Sequence, residues 1–215
     1  MSKWIIVANG QSTDKKKLQE LAANKKILLC DGAMNCWNTT LPTPDIVMGD
    51  FDSIKPDLLN DIKKNNDIKI IRANNQNLTD LEKAIIYLDE TNVESIDICA
   101  ADGDRADHTL YNFMLLKKYH NIKRKLTIHT QLDSVSYHET CHVHLSGKIN
   151  ERVSLFGFET ATVCSVGLHY ELNNYELSST QASVSNALRQ THSSVDIIGK
   201  LLMITEADVK ISQIS

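Results

Sequence analysis

Asp50 and Asp52 stand two residues apart in Gly49-Asp50-Phe51-Asp52-Ser53, directly after the apolar run Ile46-Val47-Met48. Side chains alternate along an extended segment, so these two carboxylates point the same way where a buried strand runs out into a loop. Like charges that close disfavour each other unless a cation or protons intervene. A hard divalent ion meets that need, since Mg²⁺ takes one or two carboxylates and completes its shell with substrate phosphates. The same residue types also build turns, and on this segment alone both accounts stand.

Further acids fall at strand ends or helix starts: Asp31 after Ile27-Leu28-Leu29-Cys30, Asp80 after Thr79, and Asp107 before His108. Arg105 stands close by, and its guanidinium suits two-point phosphate binding. Asn9-Gly10 follows the first strand and lets backbone N–H groups approach an anion at a helix start. Carboxylates, a cation and a phosphate-binding arginine together point to phosphoryl chemistry, which rests on positioning and charge neutralisation.

Each of these residues also has a plainer account. Asp80 suits the first turn of a helix through the helix dipole. Asp104 suits an N-cap better than a ligand role. His108, on an otherwise apolar helix face, suits a satisfied interior histidine. In Cys141-His142-Val143-His144, alternation puts the two histidines on one face and Cys141 on the other, which argues against zinc. There is no GxxxxGK[ST] phosphate loop, and no Ser–His–Asp set is supported.

The elements that must position these residues are legible from periodicity. Trp4 to Ala8, Ile27 to Cys30, Asp45 to Met48, Ile68 to Ile71 and Ile96 to Ala100 read as buried strands. Thr13 to Ala23, Asp80 to Asp89 and Arg105 to Tyr119 read as helices. Thr79 and Glu82 have the spacing of a capping box. This alternation predicts an α/β domain, a doubly wound, mostly parallel sheet with helices on both faces, whose ligands bind beyond the carboxyl ends of the strands.

After about residue 125 the pattern changes to short alternating segments punctuated by Gly147, Gly157, Gly167 and Gly199. They are Leu126 to Thr130, Ser134 to His138, Cys141 to Leu145, Arg152 to Phe156, Thr162 to Val166 and Lys200 to Thr205. A second, all-β domain of sandwich or barrel type is expected. The reading is therefore a nucleotide- and metal-binding domain over 1–125 and a β domain over 126–215, with the boundary near 122–134.

Composition narrows the function classes. The chain has 215 residues, 42% hydrophobic and 23% charged, with a formal net charge of −4, so it carries no basic signature for nucleic acid or an anionic membrane. Five cysteines without a CxxC pair suit a reduced compartment. The apolar run at the N-terminus is too short for a signal peptide, and no segment is long enough to span a membrane. A cytoplasmic protein is the expectation.

The residues also carry a resemblance. Val7-Ala8-Asn9-Gly10, Asp31-Gly32, Pro44-Asp45 leading to Gly49-Asp50-Phe51-Asp52-Ser53-Ile54, and Thr79-Asp80-Leu81-Glu82-Lys83-Ala84 come first. Gly103-Asp104-Arg105-Ala106-Asp107-His108 with Leu110 and Asn112, Gly167 to Leu172, and Ser183-Val184-Ser185-Asn186 follow in that order. In this set the chain resembles thiamine pyrophosphokinases of the shorter, bacterial type over nearly its whole length.

The resemblance implies an N-terminal α/β domain, a C-terminal β-sandwich that binds thiamine, and a homodimer with active sites between subunits. It implies transfer of the pyrophosphoryl group of ATP to thiamine, giving thiamine diphosphate and AMP. It further implies Asp50, Asp52 and Asp80 as Mg²⁺ ligands, and Asp50, Asp52, Asp80, Arg105 and Asp107 as catalytic. The nucleotide falls to Asn9, Gly10, Asp31, Ser53, Thr79, Arg105 and His108, and thiamine to Ser183, Ser185 and Asn186. The sequence departs from the family pattern at Ala33, Asn77 and Asp104, at Ser178-Ser179-Thr180, and in the absence of an aromatic residue from Arg189 to Leu202. A metal-dependent phosphohydrolase and a thiamine-binding protein that has lost catalysis are the competing functions.

Overall fold

The computed structural model describes residues 2–11, 13–37, 40–103, 105–121 and 124–214. The chain divides into two compact units, Met1–Gln131 and Leu132–Ser215.

The first unit holds β1 (Ser2–Val7), α1 (Lys15–Ala22), β2 (Lys26–Cys30), β3 (Ile46–Gly49), α2 (Pro56–Lys64), β4 (Lys69–Arg72), α3 (Asp80–Asp89), β5 (Val93–Cys99), α4 (Ala106–Lys118) and β6 (Lys125–His129). A short 3-10 helix, Asp31–Asn35, follows β2. The strands form a parallel sheet in the order β6-β5-β1-β2-β3-β4. Alternation sends Ile5, Val7, Ile27, Leu29 and Val47 into one core with Leu18 and Ala22 of α1 and Ile62 of α2. The opposite face buries Ile6, Leu28, Ile96 and Ile98 along with Leu81, Ala84, Ile85 and Leu88 of α3. Covered on both faces, the central strands read as continuous apolar runs.

Helix starts follow local chemistry. The Asp14 carboxylate accepts the N–H groups of Lys16 and Lys17 and caps α1. The Thr79 hydroxyl accepts the Glu82 N–H at 3.2 Å and caps α3. Helix α4 starts with Arg105 in the capping position and no side-chain cap. Asp104, read from the sequence as an N-cap, lies outside the described residues. Helix α2, with Pro56 at its first turn, was not anticipated from the periodicity.

Strand β6 falls in the first unit, which runs to Gln131. It pairs in parallel with β5 and so belongs to the first unit, although its alternating pattern resembles the β-rich part of the chain. Leu126, Thr127 and Ile128 are all buried, so β6 is covered on both faces like the central strands.

The second unit contains β7 (Asp133–Ser146), β8 (Arg152–Val166), β9 (Tyr175–Ser178), β10 (Ala182–Ala187), β11 (His192–Glu206) and β12 (Lys210–Ile214), paired antiparallel. Segments that looked like separate strands are halves of long bent ones: 134–138 and 141–145 are both β7, and 152–156 and 162–166 are both β8. The bends sit at register shifts, and at Gly199 φ is +110° and an added Cβ would lie 2.4 Å from the Thr160 carbonyl oxygen. One half of the long strands pairs with β9 and β12, the other with β10. Val153, Val163, Val195, Leu201 and Met203, drawn from both halves, share one buried core, the inside of a sandwich. His142 and His144 share a face with ring centroids 4.5 Å apart, while Cys141 turns to the core. Among the described residues, no helix is long and apolar enough to cross a membrane.

Candidate active site

In the first unit, strand order reverses between β1 and β5, and the crevice beyond the carboxyl ends of these strands is where such sheets bind ligands. Two loops are zipped together there. Ala8 N–H donates to the Cys99 carbonyl at 2.9 Å, Gly10 N–H to Ala100 at 2.7 Å and Gln11 N–H to Asp102 at 2.7 Å. The approach requires glycine at position 10, because a Cβ would sit 2.3 Å from the Asp102 carbonyl oxygen. It also corrects the sequence reading: the Gly10 and Gln11 N–H groups are committed to the neighbouring loop and do not face an anion.

Asp31, 2% exposed, closes the end of β2. Its Oδ1 accepts Gly32 N–H at 2.5 Å, and its Oδ2 accepts Phe51 N–H at 2.8 Å. Burial raises the carboxyl pKa; these two hydrogen bonds oppose that, Asp80 and Asp50 add to it, and the net shift is upward. Phe51 has φ of +70°, a conformation that costs on the order of 1–3 kcal/mol in a bulky residue. A hydrogen bond to a charged acceptor is worth about 1.5–3 kcal/mol, enough to hold it there.

That turn separates the two acids of the Gly49-to-Ser53 segment. Strand β3 ends at Gly49, and Asp52 N–H folds back onto Asp50 Oδ1 at 3.1 Å. The extended geometry expected from i, i+2 spacing is therefore absent. Asp50 lines the cavity; Asp52 and Ser53 are exposed and do not. The hydrogen bond from Asp52 N–H, helped by Gln76 and nearby Lys83, lowers the Asp50 pKa against a smaller effect of burial.

Helix α3 brings Thr79, Asp80 and Lys83 to the cavity. Lys83, 7% exposed, holds Asp80 in an ion pair of 2.9 Å. Its role was not assigned from the sequence, although i, i+3 spacing to Asp80 on a helix was a usable signal. Helix α4 presents Arg105 and His108, with Asn112 a turn further on. Asn112 donates to the Ala101 carbonyl at 2.6 Å and so fixes the β5–α4 loop. Arg105 grips Asp107 through Nε at 3.2 Å and Nη2 at 2.6 Å, which with the His108 N–H pulls the Asp107 pKa down to about 2. Asp107 itself is exposed and outside the cavity lining.

The cavity has a volume of about 690 Å³. It gathers Asn9, Gly10, Asp50, Thr79, Asp80, Arg105 and His108 from the sequence-derived set and adds Gln76, Lys83 and Asn112. Asp31 sits behind Asp50 as a support. Among the described residues, no three His, Cys, Asp or Glu side chains converge to hold a metal ion by themselves. Cys30 also lines the cavity, but burial first, then Asp80 and Asp31, push its thiol pKa far up and leave it a poor nucleophile.

In the second unit, Asn186 is 1% exposed and fully engaged. Its Oδ1 accepts Tyr170 N–H at 3.1 Å and Ala187 N–H at 2.9 Å, and its Nδ2 donates to the Tyr170 carbonyl at 2.7 Å. It pins the loop before β9, a structural task in place of the ligand contact expected. Ser185 is exposed with φ of +58°, and its N–H donates to Ser154 Oγ at 3.0 Å. Ser183 is half-buried, 3.5 Å from the Asn186 amide.

Comparison with known proteins adds an independent line. A family profile described as thiamin pyrophosphokinase, catalytic domain, matches residues 18–128. Among curated proteins the chain is similar to thiamine pyrophosphokinase 1 of Arabidopsis thaliana, with 29% identity over 172 residues, 74% of this chain and 64% of that protein. The chain thus spans just under two thirds of that relative's length. The fold matches the crystal structure of thiamine pyrophosphokinase from Bacillus subtilis with a TM-score of 0.82 and 23% identity, over 96% of this chain and 100% of that one. It matches thiamin pyrophosphokinase from Candida albicans with a TM-score of 0.81 and 21% identity, over 96% of this chain and 89% of that one.

Proposed function

The chain belongs to the thiamin pyrophosphokinase catalytic-domain family, and from that premise we propose that it transfers the pyrophosphoryl group of ATP to thiamine, giving thiamine diphosphate and AMP. The observation that carries the proposal is the switch-point cavity, where Asp50, Asp80 and Lys83 meet Arg105 and His108. Its size is that of a small-molecule site, and paired acids and cations suit a polyphosphate. The thiamine hydroxyl oxygen bonds to the β-phosphorus and loses its proton, the bridge between the α- and β-phosphorus breaks, and AMP departs.

Lys83 and Arg105 are the cations that meet phosphate oxygens. Each is held by a carboxylate, Lys83 by Asp80 and Arg105 by Asp107, so the charges are oriented before substrate arrives. The donor set also fits a hard divalent cation: Asp80 and Asp50 both lie close enough to Asp31 to raise its pKa. Asp50 and Asp80 would hold Mg²⁺, which supplies charge neutralisation on the phosphates when bound. Two carboxylates without a third are in keeping with an ion that completes its shell with phosphate oxygens.

Ser183 and Ser185 of the second unit are the polar contacts for thiamine in this proposal. A homodimer and a cytoplasmic location belong to it as well, and mass measurement in solution tests the first. The whole is tested by incubating purified protein with ATP, Mg²⁺ and thiamine and identifying the products. Thiamine diphosphate and AMP are expected; inorganic phosphate as the main product would favour a phosphohydrolase.

A further inference from the structure

Glu82 is 0% exposed and does not complete the capping box its spacing suggests. Thr79 already satisfies the Glu82 N–H, while the Glu82 side chain leaves α3 altogether. Its Oε2 accepts the Tyr111 hydroxyl at 2.8 Å, and its Oε1 accepts the Lys118 ammonium at 2.5 Å and the Tyr119 hydroxyl at 2.8 Å. All three donors come from α4 or its C-terminal cap. Burial would raise the carboxyl pKa, but the bonds from Lys118, Tyr119 and Tyr111 outweigh it and hold the group ionised.

The place of this knot in the chain is what gives it consequence. Glu82 lies between Asp80 and Lys83 on the first turn of α3, the two residues that this helix brings to the cavity as an ion pair. Tyr111 lies one turn after His108 on α4, the helix that brings Arg105 and His108. Adhesion between two helices needs no buried charge, since apolar side chains of similar volume serve as well or better. A carboxylate that accepts three donors instead fixes direction and spacing.

We propose that Glu82 is a positioning residue for phosphoryl transfer, whose carboxylate, held by Tyr111, Lys118 and Tyr119, sets Asp80 and Lys83 at fixed spacing from Arg105 and His108. It touches no substrate and acts through the first turn of α3. The proposal rests on the pyrophosphokinase reading for the substrate that this spacing serves.

A second tie, from the far end of α3 through Arg124 to the C-terminal cap of α4, supplies the control. Arg124 pairs with Asp89 and donates to the Tyr119 carbonyl at 2.9 Å, at the far end of α3. Asp89 is nine residues beyond Asp80, roughly 13 Å along the helix. Glu82→Gln keeps shape and one acceptor oxygen; Asp89→Asn removes the distant tie. If both ties serve stability alone, the two variants lower the melting temperature and leave the kinetics per folded molecule unchanged.

The test is steady-state kinetics of wild type, Glu82→Gln, Tyr111→Phe and Asp89→Asn, together with amide hydrogen exchange over residues 80–84. We expect Glu82→Gln to lower kcat/KM for ATP by about 100-fold, the scale of an ångström-sized misplacement. The KM for thiamine stays within about two-fold, and Asp89→Asn matches wild type. Tyr111→Phe, which cannot leave a large cavity, falls between. Wild-type ATP kinetics in Glu82→Gln overturn the proposal. If wild type makes no thiamine diphosphate, the functional reading fails by itself, and exchange decides the positioning claim. Faster exchange over 80–84 in Glu82→Gln and not in Asp89→Asn sustains it, and equal exchange overturns it.

Discussion

The Asp31 carboxylate accepts the Phe51 backbone N–H at 2.8 Å, and Phe51 takes a left-handed conformation in the loop that follows β3 and carries Asp50. One buried acid thus sets the shape of the loop that presents another. Asp31→Ala leaves the N–H groups of Gly32 and Phe51 without this acceptor, at about 1–3 kcal/mol for each one left buried. The expected outcome is a loss of a few kcal/mol by urea unfolding, with turnover lost beyond what the unfolded fraction explains.

The same turn distinguishes the two acids of this loop. Asp50 faces the cavity and Asp52 does not. Asp50→Asn is expected to reduce turnover by roughly 100-fold or more, the scale of removing one group that organises charge at the reacting centre. Asp52→Asn is expected to reduce it far less. Equal losses in parallel assays at saturating Mg²⁺ would show that the loop rearranges on binding and brings Asp52 in.

Much of this was legible in the sequence. The parallel α/β pattern and the placement of Asp50, Asp80 and Arg105 at strand ends or helix starts follow from periods read off apolar residues, and the family resemblance adds Asn9, Thr79 and His108 to the cavity's polar side chains. What was not legible depended on contacts far apart in the chain. A strand's alternation stops where a residue takes positive φ, and nothing local to Phe51 announces the Asp31 hydrogen bond that holds it. Glu82 fits a capping box by spacing, and only α4 shows where its side chain goes. The long bent strands of the second unit look broken at their bulges, because pairing across the bend comes from partner strands. Lys83 was visible and went without a role.

Acid stability has a particular source at Asp97. Its carboxylate lies 2.6 Å from His129 Nε2 and accepts Lys25 Nζ at 2.8 Å, tying β5 to β6 and to the α1–β2 turn. Burial raises its pKa, but His129 and Lys25 outweigh that and the net shift is downward. With the folded pKa below the unfolded value, this stabilisation is present above the ordinary carboxylate range and is lost as pH falls through the folded pKa. Urea midpoints measured from neutral pH down to about pH 3 should fall more steeply for wild type than for Asp97→Asn.

Ser183 and Asn186 should separate binding from structure. Ser183→Ala is expected to raise the KM for thiamine with kcat nearly unchanged, as loss of a binding contact does. Asn186→Ala instead frees the Tyr170 N–H and carbonyl, and a stability loss of about 1–3 kcal/mol in thermal or urea unfolding is expected.

The central claim is the proposal that the switch-point cavity passes a pyrophosphoryl group from ATP to thiamine and not to water. The most direct test is AMP release from ATP by purified wild-type protein with Mg²⁺, measured with and without thiamine. AMP should form in equal amount to thiamine diphosphate and fall to background when thiamine is left out. Release of AMP or phosphate at the same rate without thiamine would contradict the claim.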